Sequence, residues 1–377
     1  MTYGLKIDHF LINPKKEYQV FFVREEAFDN FLKDLNSTSD SGRVPRYVVF
    51  GLFAVGKTQF LLHLKYKLAS KALCIYVESP SCHRRTRFVE FYRSMIMALG
   101  RQVVIDRLAK GLDFIQQNQK ESAEIGLSQE LAAVISTALA NKQQFTLWQW
   151  LTGQKLSATD AASIGTVTRE ISDEDAVAVL NAMAILSMIF DKKPMIFLMD
   201  EFESTYHLGG DARTLFSEAI RSLVDEGSQV GVIFALTARS MAEVPPVLDY
   251  DPVKRRIGLT NYVRFSEYSE DELERFIKQV ISYRRDEHFN AKEAVSSLKS
   301  SETNDERTYP FSREAIEEIV KSVVHFAEEG QIDCVRPKEA LEIMDKALRL
   351  AIEKKMPSIN KDVILTVRGQ VVEALKI

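Results

Sequence analysis

Cysteine is scarce in this chain, and the few cysteines form no recognisable motif. Only three occur in 377 residues. Cys74, Cys82 and Cys334 have neither the C-x-x-C spacing nor the neighbouring histidines of structural zinc sites. A disulfide-stapled fold and a zinc module are therefore not expected, and the cysteine content is typical of a protein from a reducing cytosol.

Long apolar runs and an excess of positive charge are also missing. No apolar stretch approaches the roughly 18 residues of a membrane-spanning helix, and Met1 is followed by Thr-Tyr-Gly-Leu-Lys instead of an apolar signal region. The 49 basic residues are outnumbered by 53 acidic ones, which gives a net charge of -4 and a pI near 6.0. We expect a cytoplasmic protein without membrane contact, in which any contact with nucleic acid is a local patch.

What the chain does contain is one motif of high specificity. Residues 51–58 match the G-x-x-x-x-G-K-[ST] spacing of a phosphate-binding P-loop, between a short apolar strand at 47–50 and a helix predicted from Thr58 to Ser70. We expect Lys57 to contact the β- and γ-phosphates of ATP and the Thr58 hydroxyl to ligate Mg²⁺. The predicted nucleotide-binding residues of this segment are Gly51, Leu52, Phe53, Ala54, Val55, Gly56, Lys57, Thr58 and Gln59.

Two carboxylates end a second apolar strand. Five apolar residues at 195–199 lead directly into Asp200 and Glu201, which is the Walker B pattern. Ligands of open α/β sheets bind at the carboxyl edge where such strands end. Asp200 is therefore the expected Mg²⁺ ligand and Glu201 the expected general base for water, whereas Glu203 is expected either to support them or to be structural.

A further apolar strand that ends in a polar residue indicates which class of P-loop NTPase this is. Residues 230–236 are apolar and are followed by Thr237, where ATPases of the ASCE branch keep a polar sensor near the γ-phosphate. A GTPase would need an N-K-x-D base reader, and Asn360-Lys361-Asp362-Val363 fails at its last position. We therefore expect an α/β P-loop NTPase of the ASCE branch, with a parallel sheet core and a helical insertion, followed by a smaller all-helical domain.

The predicted domains are a nucleotide-binding core over 1–268, with a helical insertion at about 100–173, and a helical lid over 269–377. The insertion contains both tryptophans, Trp148 and Trp150, which we interpret as core anchors, with a base-stacking or partner surface as the alternative. Residues 245–268 are predicted to be a loop with a short final strand, and 300–307 a polar linker. The basic residues Arg84, Arg85 and Arg87 at a helix start form either a solvated face or a phosphate-backbone patch.

Several segments resemble AAA+ ATPases of the initiator clade, which includes origin-recognition and helicase-loader proteins. The segment Phe22-Val23-Arg24-Glu25-Glu26 resembles their lead-in beside the adenine, so the resemblance adds Arg24 to the binding set. The Leu248–Arg256 segment resembles the one that carries their arginine finger, which implies that Arg255 or Arg256 reaches a neighbouring subunit. The Val335–Leu341 segment resembles their lid helix, which implies that Arg336 senses the γ-phosphate.

A narrower similarity is to ATP-binding proteins of bacterial phage-defence islands of the BREX type. It is carried by Trp150-Leu151-Thr152-Gly153, by the helix start at 171–173 and by Asp200-Glu201-Phe202-Glu203. Two features depart from the broader pattern. Leu52-Phe53-Ala54 replaces small residues of the P-loop, and the chain ends at Ile377, where initiators continue into a winged-helix domain, so autonomous sequence-specific DNA binding is not expected.

Two hypotheses of different classes follow. The first is an oligomeric ATPase switch that acts on DNA or on a partner protein of the same system, with Mg²⁺ and ATP as cofactors and a site shared between subunits. The second is a nucleotide-gated scaffold with negligible hydrolysis that regulates a partner nuclease or another effector. A small-molecule kinase has no evident acceptor site in the sequence.

Overall fold

The computed structural model describes residues 2–20, 28–33, 36, 44–298 and 305–375. The chain forms two compact units. One comprises Met1–Ala27, Gly51–Gln59 and Phe265–Ile377, and the other comprises Phe28–Phe50 and Phe60–Arg264. Within the described residues, no helix combines the length and the apolar character needed to cross a bilayer.

A five-stranded parallel sheet with the order β2-β3-β4-β1-β5 organises the chain. All six residues of β3 are buried, because helices cover both faces of such a sheet and its inner strands become continuously apolar. The register sets Glu78 of β2 beside Asp200 of β3, so polar residues meet at the carboxyl edge. The strands are β1 (Arg46–Gly51), β2 (Leu73–Glu78), β3 (Met195–Asp200), β4 (Val230–Thr237) and β5 (Tyr262–Phe265).

Helices follow the strands as the amphipathic patterns predict. Ser172 caps the helix at 173–191 by accepting a hydrogen bond from the Asp175 N–H, and three acidic residues in its first turn complement the helix dipole. A further helix after β3 begins at Gly210. These helices are α1 (Lys57–Leu68), α2 (Phe88–Leu99), α3 (Arg101–Gln117), α4 (Gln129–Ala140), α5 (Gln144–Leu151), α6 (Ala158–Ser163), α7 (Asp173–Asp191) and α8 (Gly210–Leu223).

The insertion is helical and part of the main core. Helices α3 to α6 occupy it, and Trp150 is 2% exposed within the larger cluster of buried apolar side chains. Its indole N–H donates to the Thr168 carbonyl oxygen at 3.2 Å. The interpretation of Trp150 as a core anchor is confirmed, and Trp148 packs against the same cluster while remaining half-buried.

The prediction of a loop with a short final strand over 245–268 is wrong in part, because two short helices precede the strand. These are α9 (Pro246–Asp249) and α10 (Asp251–Ile257), and each has a proline in its first turn. Proline favours loops in a sequence pattern, but in the first helical turn it has no N–H to lose and its φ is already helical. The following strand β5 is present as predicted.

The C-terminal helices form a second apolar core together with the N-terminal residues. Ser269 and Glu272 make a capping box at the start of the first helix. Leu5 and Phe10 are at most 1% exposed in this core, and the Phe10 N–H donates to Asp345 Oδ1 at 3.1 Å. The helices are α11 (Glu270–Arg284), α12 (Ala291–Ser296), α13 (Arg313–Glu328), α14 (Pro337–Glu353) and α15 (Lys361–Leu375).

The predicted fold class, a parallel P-loop core with a helical insertion and a smaller helical lid, is confirmed. Of the predicted linker at 300–307, residues 300–304 lie outside the described residues and 306–307 lie in a turn. Residues 28–33 are helical, and Phe28 and Phe31 are buried there.

Candidate functional site

The P-loop connects β1 to α1 through a backbone that only glycine can form at two places. A Cβ atom on Gly51 would lie 2.3 Å from the carbonyl oxygen of Phe265, so no larger residue fits there. Gly56 has a φ of +99°, and a Cβ atom built on it would meet no atom within 4 Å. Helix α1 begins at the next residue, and the N–H groups of its first turn have no intrahelical acceptors. The open space beside Gly56 therefore fits an anionic phosphate.

The P-loop lysine folds back over its own loop. Lys57 Nζ donates hydrogen bonds to the carbonyl oxygens of Gly51 at 2.9 Å and Leu52 at 2.7 Å, and the residue is 8% exposed. Ala54 holds a left-handed φ of 62°, which is unusual for a residue with a side chain. A bound phosphate would compete with the two carbonyl oxygens for the Lys57 ammonium.

The start of α1 is tied to the N-terminal segment. Gln59, directly after the half-buried Thr58, donates from Nε2 to the Glu17 carbonyl oxygen at 2.9 Å and also to that of Val20. The predicted adenine lead-in begins just beyond this point, and Arg24 lies outside the described residues.

Arg336 lies at the start of α14, in the same unit as the P-loop. Its guanidinium donates from Nε to both carboxylate oxygens of Glu339 at 3.0 Å and from Nη2 to Oε1 at 2.9 Å. Glu339 is fully buried and Arg336 is 8% exposed. Burial opposes the charged form of Arg336, but the hydrogen bonds and charge of Glu339 outweigh it and raise the arginine pKa. The same guanidinium lies 5.6 Å from the ring centroid of Phe53.

Asp200 is held by a hydrogen bond on each of its oxygens. Oδ2 accepts from the Tyr76 hydroxyl at 2.9 Å, and Oδ1 accepts from the Glu201 N–H at 3.0 Å. The carboxylate is buried, with 4% of the residue exposed. Burial, together with the charge and hydrogen bond of Asp200, raises the pKa of Tyr76, so the tyrosine remains a donor across the physiological pH range. Asp200 is therefore a fixed carboxylate suited to bind Mg²⁺ through water.

Glu201 has an exposed side chain on a strained backbone. Its φ of 56° and ψ of 35° lie in the left-handed region, and a short 3₁₀-helix at Phe202–His207 follows it. Residues with side chains adopt this conformation at a cost of order 1 to 3 kcal/mol. The conformation turns the chain sharply at the end of β3, where a general base is expected.

Glu203 connects the ends of two neighbouring strands. Its Oε2 accepts a hydrogen bond from the N–H of Thr237, the last residue of β4, at 3.2 Å. Thr237 therefore lies at the carboxyl edge of the sheet, beside the strand that ends in Asp200. The supporting role expected for Glu203 agrees with this contact.

The two arginines of the finger-like segment differ in their surroundings. Arg256 donates from Nε to Asp225 Oδ1 at 2.9 Å and from Nη1 to the Pro252 carbonyl oxygen at 3.0 Å. The Arg255 side chain is exposed, and among the described residues it has no hydrogen-bond or ion-pair partner. The Arg256 side chain is thus bonded within its own chain, whereas the Arg255 guanidinium lies exposed at the surface.

The basic cluster is smaller than its sequence indicates. Arg87 forms an ion pair with Glu170 from the insertion, and its backbone N–H donates to Glu90. Arg84 and Arg85 are exposed and have no acidic partner among the described residues. Two arginines, not three, therefore remain available to an anionic surface.

Two of the residues around these sites carry no signal in the sequence. Tyr76 is one apolar-looking position in a strand, and it reaches Asp200 only because β2 and β3 are neighbours. Glu339 looks like an ordinary acidic residue in the first turn of a helix. Tertiary pairing and burial give both residues their roles, and neither follows from local spacing.

Comparison with known proteins gave one family and several distant structures. The model of the family described as "BREX system ATP-binding protein BrxC/D" matches residues 101–345. No curated protein matches the chain.

Among solved structures, the RuvB Holliday junction branch migration motor of Thermotoga maritima is 13% identical, with a TM-score of 0.41 over 93% of this chain and 69% of that one. The ORC2 protein of Aeropyrum pernix is 12% identical, with a TM-score of 0.48 over 98% of this chain and 70% of that one. A chain of Drosophila ORC bound to DNA is 14% identical, with a TM-score of 0.47 over 95% and 62% of the two chains.

Proposed function

Because the chain belongs to the family of BREX system ATP-binding proteins BrxC/D, we propose that it is an AAA+ ATPase that hydrolyses Mg-ATP at a site completed by a neighbouring subunit. Lys57 and the loop backbone bind the phosphates. Thr58 and Asp200 hold Mg²⁺, which neutralises charge on the phosphate oxygens, and Glu201 removes a proton from the attacking water. The family supports ATP as the ligand and bacterial anti-phage defence, in the cytoplasm, as the setting.

The contrast between Arg255 and Arg256 carries the proposal of a shared site. An arginine supplied from a second subunit must be exposed and uncommitted in its own chain. Arg255 meets both conditions, while Arg256 is hydrogen-bonded to Asp225 and Pro252. We therefore assign the role in trans to Arg255. Such an arginine contributes about 10³ to 10⁵ in rate, so turnover is expected to depend on assembly.

Mixing two inactive variants tests this assignment directly. Glu201→Gln should bind ATP with turnover almost lost, and Arg255→Ala should bind ATP with turnover reduced by the factor above. In a mixture, a site with Glu201 from one subunit and Arg255 from the other is complete, so turnover should partly return. Arg256→Ala is the matched control, and it should change stability modestly while retaining turnover. Failure of the mixture to recover any activity would exclude the shared site.

The molecular mass in solution distinguishes this proposal from a nucleotide-gated scaffold. Glu201→Gln with ATP should form a defined ring or filament, and ADP should leave smaller species. A protein that assembles with ATP but has no measurable single-turnover hydrolysis would be the scaffold. A monomer under all conditions would exclude a role for Arg255 in a neighbouring subunit's site. It would instead favour a scaffold that acts by binding a partner protein of the same system.

DNA is proposed as one of the surfaces on which the switch acts, through Arg84 and Arg85. Binding to double-stranded DNA should weaken steeply with salt, because phosphate contacts release counterions. Arg84→Ala with Arg85→Ala should reduce binding, whereas Arg87→Ala, whose charge is paired with Glu170, should have a smaller effect. Equal losses in all variants would contradict this patch.

A further inference from the structure

Phe53 is an exposed aromatic ring in the middle of the P-loop. It is 58% exposed, which is unusual for a phenylalanine and is not explained by packing. Two cations from the start of α14 lie near the ring, with the Arg336 guanidinium carbon 5.6 Å and the Lys338 ammonium nitrogen 5.9 Å from its centroid. A cation within about 6 Å of an aromatic centroid is attracted to the ring electrons. The ring therefore joins the phosphate loop to the helical part of its own unit.

The guanidinium of Arg336 is fixed from two directions. One edge donates to the carboxylate of buried Glu339, and the group also lies against Phe53. Among the described residues, no acceptor bonds to its Nη1 atom. A planar guanidinium can keep one bidentate partner and still donate from its remaining edge to a phosphate oxygen. Glu339 and Phe53 thus leave one donor edge of Arg336 available beside the P-loop.

The position of Phe53 depends on atoms that respond to phosphate. Lys57 Nζ is bound to the carbonyl oxygens of Gly51 and Leu52, the two residues directly before Phe53. When the ammonium turns to a phosphate, those two carbonyl groups lose their donor and the backbone at Leu52 and Phe53 can rearrange. A ring that moves with this backbone changes the aromatic face against which the Arg336 guanidinium lies, while Glu339 still holds the other edge of that guanidinium.

We propose that Phe53 is a positioning residue that orients Arg336 toward the terminal phosphate, so that the P-loop distinguishes ATP from ADP through this aromatic contact. The inference rests on the proposal that the loop binds ATP. It assigns to Phe53 a role that the P-loop spacing does not require, because that position is variable in the motif. ADP lacks the phosphate that Arg336 would reach, so its affinity should not depend on Phe53.

Equilibrium binding of ATP and ADP measures this role without any need for hydrolysis. Phe53→Leu keeps an apolar side chain and removes the aromatic face, and Phe53→Tyr keeps the face. We expect Phe53→Leu to weaken ATP binding about two- to fivefold, which is the range of an exposed cation–π contact. ADP binding should be unchanged, and Phe53→Tyr should restore ATP binding.

A double-mutant cycle with Arg336→Ala separates positioning from a merely structural role. If Phe53 acts through Arg336, Phe53→Leu should cause no further loss of ATP affinity in the Arg336→Ala background. Equal weakening of ATP and ADP, or full additivity in the cycle, would overturn the inference. Because both readouts are binding constants, a wild-type protein that binds ATP but does not hydrolyse it would contradict the proposed ATPase function and leave this test intact. Lys338→Ala should reduce the ratio of ATP affinity to ADP affinity less than Arg336→Ala does, because the Lys338 ammonium pairs with Glu342 and is not held by the buried Glu339 carboxylate.

Discussion

Replacing Tyr76 by phenylalanine removes one of the two hydrogen bonds that hold the Asp200 carboxylate. The substitution leaves the ring and its packing in β2 and deletes only the hydroxyl that donates to Oδ2 at 2.9 Å. Oδ1 keeps the N–H of Glu201. Because Asp200 is only 4% exposed, water cannot fully replace the missing donor.

The expected magnitude has two parts. A hydrogen bond to a charged group contributes about 1.5 to 3 kcal/mol. The substitution should therefore lower the free energy of unfolding of the nucleotide-free protein by about that amount. Residues that orient metal ligands typically affect metal affinity by about 10- to 100-fold, and a ligand that acts through water should lie at the lower end. We therefore expect the Mg²⁺ concentration for half-maximal ATP binding to rise roughly tenfold.

The chain provides a matched control in Tyr262. Its hydroxyl donates to the Leu248 carbonyl oxygen at 2.8 Å, and the ring is also half-buried on a strand of the sheet. Tyr262→Phe should lower stability without changing the Mg²⁺ dependence. Titrating Mg²⁺ at fixed ATP in both variants, with chemical denaturation alongside, separates the two effects. The reasoning is refuted if both variants have the wild-type Mg²⁺ dependence. It is also refuted if Tyr76→Phe still raises the half-maximal Mg²⁺ concentration in a protein that already carries Asp200→Asn.

Two other substitutions test the loop and the second core. Gly56→Ala places a side chain at a φ of +99° and should cost about 1 to 3 kcal/mol in stability and abolish nucleotide binding, measured by calorimetry. Gly330→Ala, at a φ of +69° in equally open space, should cost stability alone, and retained ATP binding in Gly56→Ala would exclude the phosphate cradle. Phe10→Ala should cost about 3 to 5 kcal/mol in denaturant unfolding, because the ring is fully buried. Phe145→Ala, at a ring 59% exposed, should cost far less, and similar losses would contradict the proposed importance of the N-terminal segment for the second core.

The main elements of the fold follow from the sequence because their signals are local. Apolar runs of four, five and seven residues predict β1, β3 and β4, and the P-loop motif predicts the helix α1 that follows it. Two short helices after residue 245 were missed because each carries a proline in its first turn, where proline is tolerated. The entry of the N-terminal residues into the second core could not be read from 2–20, because the apolar residues around Leu5 and Phe10 follow no sustained helical or strand period.

The residues of the candidate site likewise divide into those with a local sequence signal and those that depend on tertiary contacts. The P-loop and the Asp200-Glu201 pair were predictable because motif spacing reflects backbone geometry that a phosphate requires. The contacts of Asp200 with Tyr76 and of Arg336 with Glu339 and Phe53 depend on which surfaces meet after folding. The choice between Arg255 and Arg256 likewise needed the position of Asp225, which is far away in the chain and 2.9 Å away in space. The roles proposed for all of these residues remain predictions.

The left-handed backbone at Glu201 has a consequence for directed evolution of this protein. Glycine adopts that conformation without strain and asparagine with little, so Glu201→Gly or Glu201→Asn should raise the melting temperature. A library selected for heat resistance alone would therefore enrich substitutions at the very residue proposed to activate water. Variants taken from such a selection would remain folded at higher temperature but would lose the proposed hydrolysis of bound ATP.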